Sequence, residues 1–228
     1  MPTLTTIILA TNNVHKVGEI RAILGEQFQF RSFSDFPDAP KVVEDAPTFA
    51  GNATKKAVEL AKYLSMSAFE HSTFVLADDS GLEVDALNGA PGVHSARFAA
   101  LDRGQGFNSS DAENRAKLLR LLKDVPAAKR TARFRCVLAL TPLGGSEKQS
   151  ASPVCYVDEH EMQTDLFEGS CEGRIEFSEK GQGGFGYDSL FTPTGFTQTF
   201  GELAEEVKNR LSHRAKALEK LRTRLKEI

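Results

Sequence analysis

Two adjacent carboxylates, Asp78 and Asp79, are the residues of this chain that most directly indicate a chemical function. They follow residues 73–76 (Thr-Phe-Val-Leu), an apolar run typical of a buried strand, and a Ser-Gly pair that favours a turn comes next. Ligands of α/β proteins bind at the carboxyl ends of strands. Because adjacent carboxylates repel each other, a divalent cation with oxygen ligands is the simplest compensation. An acidic turn with solvated or helix-capping aspartates explains an isolated pair equally well.

The residues after this pair predict a second strand and a tight turn. Residues 82–87 alternate between apolar and polar side chains, as a half-buried strand does. Residues 89–92 are Gly-Ala-Pro-Gly, a combination that favours a turn. The two carboxylates are therefore expected in the connection between two strands.

The start of the chain predicts an anion-binding site. Residues 4–10 predict a buried strand that leads through a polar segment into an amphipathic helix. Thr or Asn can cap such a helix, and a helix N-terminus that follows a strand binds anions. Lys16 in the first turn opposes the helix dipole, which favours a phosphate ligand nearby; a solvated lysine beside an ordinary cap is the alternative. The polar segment consists of Thr11, Asn12, Asn13, Val14, His15 and Lys16, and Lys16 is its candidate phosphate ligand.

A polar loop and a helix follow. Residues 31–47 predict a loop with one short strand at 41–43, after which Glu44 supplies a further carboxylate. Thr48 is expected to cap a helix that ends near Leu64. Asn52 lies one turn inside this helix, where its low helix propensity indicates a polar contact.

The second half of the chain predicts one more helix and several strands. Ser110 and Glu113 form a capping box that opens a helix expected to end near Asp124. Residues 132–140 alternate cleanly, and residues 154–157 and 164–167 predict further strands. Residues 143–162 are interpreted as a polar hairpin.

A glycine-rich segment, residues 181–186, matches the dinucleotide-binding fingerprint literally, but its context argues against that function. A true fingerprint opens a helix, whereas residues 188–192 predict a strand that Pro193 ends. The glycines instead let the backbone approach a flat ligand closely, with Phe185 and Tyr187 available for stacking. A glycine-rich turn with two core aromatics is the alternative.

The chain ends in helices that carry a basic cluster. Ser212 is expected to cap the last helix, with His213 and Arg214 in its first turn. Cations are unfavourable there unless an anion or acceptor lies nearby. Together with Lys208, these residues predict either ligand contacts or a basic surface helix.

Composition places the chain among ordinary globular proteins. Its 228 residues are 40% hydrophobic and 26% charged, with a net charge of −3, so nothing draws it generally to nucleic acid or membrane. The three cysteines have no metal-binding or redox spacing and are expected as thiols in a reducing compartment. Without a signal peptide or an apolar run of about 18 residues, the protein is expected in the cytoplasm.

Five segments, in order along nearly the whole chain, resemble the motifs of the inosine/xanthosine triphosphate pyrophosphatase family. The chain departs from the usual family pattern at Asn12, at Ala50 and Gly51, at Ser189 and at Val207. The matching segments are residues 11–16 (Thr-Asn-Asn-Val-His-Lys), 48–53 (Thr-Phe-Ala-Gly-Asn-Ala) together with Lys56 and Ala57, the long segment 78–97 from Asp-Asp-Ser-Gly to His-Ser-Ala-Arg, 185–188 (Phe-Gly-Tyr-Asp) and 208–214 (Lys-Asn-Arg-Leu-Ser-His-Arg).

The resemblance implies the fold and the reaction. The fold would be α/β, an elongated mixed β-sheet flanked by helices, in a single domain over residues 1–228 with an active-site cleft between two lobes. The reaction would hydrolyse ITP, dITP or XTP to the monophosphate plus pyrophosphate, with Mg²⁺ as cofactor. A homodimer, with no nucleic acid or membrane partner, would be the working form.

The resemblance also implies roles for named residues. Asp79 would be the catalytic carboxylate, and Glu44 and Asp79 would hold Mg²⁺. The segment 11–16, with Ser80 close by and Lys208 adding charge, would bind phosphates. Phe185 would stack on the purine, whose edge would be contacted by Gly186, Tyr187, Asp188, His213 and Arg214.

Two other functions and one structural alternative stay open at this point. A Maf-like pyrophosphatase of modified pyrimidine nucleotides is disfavoured by the Ser-His-Arg ending. A non-catalytic nucleotide sensor is disfavoured by the intact carboxylates and Lys16. The turn after residue 88 places Val93 and Phe98 on a loop that a dimer partner would cover, or else both pack into their own subunit.

Overall fold

The computed structural model describes residues 4–66, 69, 72–104, 107–143, 154–157 and 160–227. Their main sheet has six strands in the order β2-β1-β3-β4-β7-β8, and two further strands, β5 and β6, pair with each other. The strands are β1 (Thr6–Leu9), β2 (Gln29–Ser32), β3 (Thr73–Val84), β4 (Thr131–Leu143), β5 (Val154–Val157), β6 (His160–Gln163), β7 (Asp165–Ile175) and β8 (Phe191–Pro193). The helices are α1 (Val14–Leu24), α2 (Phe49–Leu64), α3 (Asp111–Leu121), α4 (Glu205–Leu211) and α5 (His213–Leu225).

The sheet is mixed, as the resemblance implies. β1 pairs in parallel with β2 on one side and with β3 on the other, whereas β7 pairs antiparallel with β8. Parallel neighbours need a crossover connection, and the helical connections α1 and α2 supply it. The prediction of an α/β fold with a mixed sheet flanked by helices is confirmed, while the single two-lobed domain stays a prediction.

The chain forms two compact units. The first comprises Met1–Asp79, Val137–Glu168 and Ala217–Ile228. Its β1 is buried, as are the predicted apolar faces of α2 and α5, because strands and helices that cover each other's apolar sides leave little area in water. Fully buried residues here include Ile7, Ile8, Leu9, Ala53, Ala57, Leu76, Ala217, Leu218 and Leu221.

The second unit comprises Ser80–Cys136 and Gly169–Lys216. In its core, the ring of Phe134 lies 4.7 Å from that of Phe191 and 6.0 Å from that of Phe200. Phe98 belongs to this core. Of the two predictions for Phe98, packing within its own subunit is therefore confirmed, and exposure to a partner is wrong.

The predicted turn between two strands at Ser80 and Gly81 is wrong. β3 runs without interruption from Thr73 to Val84, and a 3-10 turn, Asp85–Leu87, replaces the predicted end of a second strand. The Ser-Gly pair suggested a turn, but both residues lie within the sheet, where tertiary pairing overrides local propensity. The pairing of β1 with β3 ends at Leu76, so the two carboxylates lie just beyond the carboxyl end of β1.

Three other boundaries differ from prediction. Residues 41–43 form no strand, since they carry none of the ladder pairing that the main sheet has. Residues 188–190 form a 3-10 turn, so only the second half of the strand predicted at 188–192 exists, as β8. α3 ends at Leu121, three residues before the predicted Asp124.

The predicted hairpin over residues 143–162 is described in part. β5 and β6 pair antiparallel, with Val154 opposite Gln163 and Val157 opposite His160, and residues 144–153 lie outside the described part of the chain. Cys136 and Cys171 are buried thiols, and the side chain of Cys155 lies outside the description. In the described residues, no helix has the length and apolar content needed to cross a membrane.

Candidate active site

The N-terminus of α1 is capped by one of the two residue types that the sequence predicts, Thr or Asn. Asn13 is its N-cap, and the side-chain oxygen of Asn13 accepts hydrogen bonds from the backbone N–H groups of His15 and Lys16 at 3.0 and 3.2 Å. Thr11 supports the cap, since its hydroxyl oxygen accepts the N–H of Asn13 at 3.1 Å. No acidic residue occupies the first turn, so the positive end of the helix dipole is not neutralised locally.

The ammonium of Lys16 lies against one of the two adjacent carboxylates. Lys16 Nζ is 2.5 Å from Asp78 Oδ1, and the side chain of Asp78 has no exposed surface. This ion pair joins the first turn of α1 to β3. An arriving phosphate would therefore meet a lysine already held by a buried carboxylate.

The other carboxylate, Asp79, shares a largely buried lysine with Glu44. Lys56 Nζ, on α2, lies 3.1 Å from Asp79 Oδ1 and 3.1 Å from Glu44 Oε2. It also donates to the backbone oxygen of Asp78 at 2.9 Å. Asn52, one turn earlier on α2 and fully buried, donates to Asp79 Oδ2 at 3.3 Å. The polar contact predicted for Asn52 is thus confirmed.

The proton equilibria of this cluster follow from burial and from mutual charge. Burial raises the pKa of Asp79 to about 6, against the opposing effect of the lysines, and Glu44 adds to the rise. Burial also acts to raise the pKa of Glu44, but the Lys56 ammonium and side-chain hydrogen bonds outweigh burial, so the pKa of Glu44 is lowered. Burial works against the charge of Lys56, yet the facing carboxylates raise its pKa, so the ammonium keeps its proton. Of the two carboxyls, Asp79 is the better proton acceptor.

In the second unit, the segment 185–188 forms a loop around the carboxylate of Asp188. Asp188 Oδ2 accepts the N–H of Phe185 at 2.8 Å and the ammonium of Lys208 at 2.7 Å. Lys208 Nζ also lies 4.7 Å from the centre of the Phe185 ring. Lys208 was predicted to add charge beside phosphates; in the structure its ammonium contacts the carboxylate and the aromatic ring of this loop.

Glycine at position 184 is required by this arrangement. Its φ of +74° lies in the left-handed region, and a Cβ there would come within 2.2 Å of Asp188 Oδ2. Any larger residue would displace the carboxylate that holds Phe185 and Lys208. No helix opens at residues 181–186, which agrees with rejecting the dinucleotide fingerprint.

The basic residues of the Ser-His-Arg segment are buried. Ser212 caps α5 as predicted, since its hydroxyl accepts the N–H of Ala215 at 3.2 Å. Arg214 is 1% exposed; its Nη2 donates to Ser80 Oγ at 2.9 Å, and its guanidinium carbon lies 5.9 Å from the Phe185 ring centre. The His213 ring stacks on Phe134 at 4.9 Å with an interplanar angle of 13°. The alternative of a solvated basic surface helix is therefore wrong for His213 and Arg214.

Tyr187 is a core residue, so the suggestion that its ring stacks on a ligand is wrong. It is 4% exposed, and its hydroxyl donates to the backbone oxygen of Ser95 at 2.8 Å. Burial raises the pKa of Tyr187 well above its ordinary value. Ser95 also accepts the N–H of Leu82 at 2.9 Å and donates to the oxygen of Gly92 at 2.6 Å. The serine of the long motif thereby ties β3 to the loop at 185–188.

Sequence reasoning missed two polar side chains that the structure brings into these clusters. Lys56 was noted only as part of a motif, because a lysine on the polar side of a capped helix gives no local signal of a contact with buried carboxylates. Ser95 was counted in the long motif without a function. In both cases the partners lie more than ten positions away along the chain, so spacing alone could not have revealed them.

The fold and these clusters define an α/β protein with a capped helix N-terminus and a lysine–carboxylate cluster, a design suited to binding phosphates. A family model described as the Ham1 family matches residues 7–224. The chain belongs to the Ham1 family.

Individual relatives cover almost the whole chain. A protein of Desulforamulus reducens named dITP/XTP pyrophosphatase is 47% identical over 215 residues, which are 94% of this chain and 92% of that protein. A dITP/XTP pyrophosphatase of Geobacillus kaustophilus is 44% identical over 223 residues, 97% of this chain and 95% of the relative. The solved structure of a HAM1 protein from Coxiella burnetii superposes with a TM-score of 0.76 at 34% identity, covering 98% and 99% of the two chains.

Proposed function

We propose that this protein hydrolyses the non-standard purine nucleoside triphosphates ITP, dITP and XTP to the monophosphate and pyrophosphate. The observation that carries the proposal is the carboxylate Asp79, buried and held by Lys56 and Asn52 in the same unit as a capped, acid-free helix N-terminus. Near full-length relatives named dITP/XTP pyrophosphatase support it. Removal of such nucleotides would keep the precursor pool clean.

The phosphates are bound, in this proposal, by the start of α1. The positive end of the helix dipole attracts anions, and Lys16 adds a positive charge. Because Lys16 is paired with Asp78, a phosphate oxygen shares or replaces that carboxylate at the ammonium. The rest of this phosphate-binding segment consists of Thr11, Asn12, Val14 and His15. Further contacts with the phosphates are proposed for Ser80 and Lys208.

The donor set of the cluster fits a magnesium ion. Glu44 and Asp79 already converge on one cation, the Lys56 ammonium, at 3.1 Å each. In the part of the chain that is described, no group of three or more His, Cys, Asp or Glu side chains has a metal-binding arrangement. Mg²⁺ ordinarily needs only one or two protein carboxylates, with water and substrate phosphates as its other ligands. Glu44 and Asp79 would hold it.

A metal ion bound there would neutralise phosphate charge that develops as pyrophosphate leaves. The chain's own contribution is made by Asp79, which orients a water molecule and accepts its proton. Its raised pKa places it closer to neutrality than an ordinary aspartate, which suits a general base. The lysines compensate the negative charge of the leaving group.

Base selection rests on the second unit. Phe185 stacks on the purine, and the Gly186–Asp188 backbone, with His213 and Arg214, contacts its edge. N–H groups donate to the 6-oxo oxygen of hypoxanthine and xanthine but are left unpaired opposite the 6-amino group of adenine, and such a mismatch can lower kcat/KM by about 10⁴-fold. The relatives reported above support neither of the alternatives, a pyrimidine-specific Maf-like enzyme or a non-catalytic sensor.

We also propose a homodimer. Since Phe98 is buried in its own core, Val93, which is half-buried in the 3-10 turn Gly92–Arg97, is the remaining candidate for a partner contact. Val93→Glu is expected to shift a dimer toward monomer, because a two-fold contact would bring two new charges together. A wild-type species near 24.9 kDa by light scattering at micromolar concentration would exclude the dimer.

The function is tested with a panel of nucleoside triphosphates, assayed for pyrophosphate and orthophosphate with and without Mg²⁺. Fast release of pyrophosphate from ITP, dITP and XTP, slow turnover of ATP and loss of activity in EDTA are expected. Release of successive orthophosphates, or activity indifferent to EDTA, would refute the proposal.

A further inference from the structure

We propose that Asp111 and Arg115, on α3, are positioning residues that fix the purine-contacting loop and thereby set the preference for 6-oxo purines. The inference rests on the proposed use of residues 185–188 for base recognition. Neither residue belongs to the motifs that carry the resemblance, and neither is assigned a role above. All the contacts involved lie within the second unit.

The two side chains hold both backbone polar groups of Gly186. The N–H of Gly186 donates to Asp111 Oδ2 at 2.6 Å, and its C=O accepts from Arg115 Nη1 at 2.9 Å. Asp111 and Arg115 are four residues apart, so both project from the same face of α3. Both bonds involve an ionised side chain, which makes them about twice as strong as bonds between neutral groups. They form a clamp on a single residue.

Further contacts hold Arg115 and the first turn of α3 in place. Arg115 Nε lies 2.8 Å from Glu179 Oε2, and the same carboxylate oxygen accepts the hydroxyl of Ser189 at 3.2 Å. The guanidinium therefore has partners on both sides of the loop, which restricts its rotamer. At the other end, Ser110 and Glu113 cap α3 with a reciprocal box, which fixes the turn that carries Asp111.

Gly186 is a position where the backbone needs such support. Its φ of +62° lies in the left-handed region, and no atom would meet a Cβ there within 4 Å. Close packing therefore does not determine its conformation. Glycine is the residue with the widest choice of backbone angles, so hydrogen bonds must select one.

The rest of the loop leaves one backbone donor for a ligand. All four carbonyls of residues 185–188 accept hydrogen bonds, from Asp188, Arg115, Leu190 and Gly201 in turn. The N–H groups of Phe185, Gly186 and Asp188 donate to oxygens of the protein. Among the described residues, only the N–H of Tyr187 within this loop has no acceptor. A purine 6-oxo group is an acceptor for this donor, whereas a 6-amino group is not.

The clamp acts on the peptide immediately before that donor. The carbonyl bonded by Arg115 belongs to the same peptide plane as the N–H of Tyr187, because the peptide bond is planar. Rotation of this plane would turn the donor away while leaving Phe185 in place. Loss of the clamp should therefore weaken discrimination between bases more than it weakens binding of phosphates.

The experiment compares Arg115→Ala and Asp111→Ala with the wild-type enzyme on ITP and on ATP. In each variant kcat/KM for ITP should fall on the order of tenfold, as expected when a contact group is displaced by less than 1 Å. The loss should appear mainly as a higher KM for ITP, while kcat/KM for ATP should change little. The ratio of kcat/KM for ITP to kcat/KM for ATP should therefore fall. Asp111→Asn keeps an oxygen acceptor for the Gly186 N–H and should retain most of the preference.

The control variant is Arg120→Ala. Arg120 lies on the same helix and pairs with Asp102 at 2.9 Å, without a contact to the loop; its removal should leave the ratio unchanged. The amide signal of Gly186 in a ¹⁵N–¹H spectrum gives a second measurement, since it should shift in Asp111→Asn even if an alanine variant fails to fold.

The outcomes separate this inference from the proposed function. A wild-type enzyme that releases no pyrophosphate from ITP would overturn the function itself. An active wild type whose ITP-to-ATP ratio is unchanged in Arg115→Ala and Asp111→Ala, or is lowered equally by Arg120→Ala, would overturn only the clamp. Equal losses on ITP and ATP would also overturn it, because they would indicate a general structural role.

Discussion

Lys56 Nζ lies 3.1 Å from Asp79 Oδ1, so the carboxylate proposed as the catalytic base is paired with a buried ammonium. Removing one partner of a buried ion pair usually costs about 3–5 kcal/mol, because the other charge is left without compensation. Here Lys56 also contacts Glu44 and the backbone oxygen of Asp78. The cluster can therefore lose the charge of Asp79 without leaving the lysine alone.

Asp79→Asn should lower kcat for ITP by about 10²–10⁴-fold while the protein stays folded. An amide cannot accept the proton of the attacking water and is a poorer metal ligand, but it keeps the shape of the side chain. Steady-state kinetics and thermal melting measure the two effects. Asp45→Asn is the control, since Asp45 is an exposed neighbour paired with Lys55 at 2.7 Å. Retention of more than a tenth of the wild-type kcat would show that Asp79 is not the central carboxylate.

Arg214→Ala should reduce kcat/KM for ITP by about ten- to a hundredfold and change ATP turnover little. A hydrogen bond from a charged group contributes roughly 1.5–3 kcal/mol, and the nearly buried guanidinium lies beside Phe185 and Ser80. Arg210→Ala, an exposed position on α4, should have no such effect. If ITP and ATP lost rate equally, Arg214 would be assigned to phosphate binding instead.

Gly184→Ala should abolish most activity and lower the melting temperature. The added Cβ would come within 2.2 Å of Asp188 Oδ2 and would also need a φ of +74°. Gly195→Ala separates the two causes, because its φ is +88° while no atom lies within 4 Å of the added Cβ. We expect Gly195→Ala to show only the modest loss of stability that backbone strain produces, with normal kcat. Similar activity in both variants would mean that displacement of Asp188 is unimportant.

The capping box of α3 should make stability depend on pH in the acid range. The ion pair with Arg103, followed by the bonds from Ser110, lowers the pKa of Glu113 from its ordinary 4.5 to about 2 in the folded protein. The folded state therefore favours the charged carboxylate. Its stabilising contribution is present above pH 4.5 and is lost as the pH falls toward 2.

Urea unfolding of Glu113→Gln at several pH values tests the direction of this pH dependence. The variant should unfold at lower urea than the wild type at pH 7, and the difference should shrink between pH 4.5 and pH 3. Glu205→Gln is the control, because Glu205 follows Ala204, an N-cap without a side-chain hydrogen bond. A gap between wild type and Glu113→Gln that stays constant down to pH 3 would contradict a stabilising role for the charge of Glu113.

The elements that sequence predicted well are those with local signals. Thr48, Ser110 and Ser212 each cap a helix as expected, since a capping side chain and the N–H groups it serves lie within one turn. The cap at Asn13 was predictable for the same reason. The apolar periods at the start of β4 and in α5 likewise reflect burial on one side, whereas residues 136–141 of β4 are buried on both sides.

The errors arose where partners far along the chain decide the structure. The Ser-Gly pair at 80–81 has turn chemistry, yet β3 continues through it because neighbouring strands supply its hydrogen bonds. The burial of Tyr187 depends on an acceptor at Ser95, 92 positions earlier. The ion pair of Lys208 with Asp188 spans 20 positions, so no window of local sequence could have assigned it.

The hydrogen bonds of Ser95 have a consequence for engineering this protein. Exposed turns such as that at Asn88 are ordinarily suitable places to insert a peptide tag or a label. Here the chain length between Leu82 and Ser95 is fixed, because the hydroxyl of Ser95 accepts the N–H of Leu82 while its carbonyl accepts Tyr187. One extra residue in the turn would move the serine off both partners. A fluorophore or affinity handle is better attached elsewhere, and a circular permutant opened at this turn is expected to lose the conformation of the loop at 185–188.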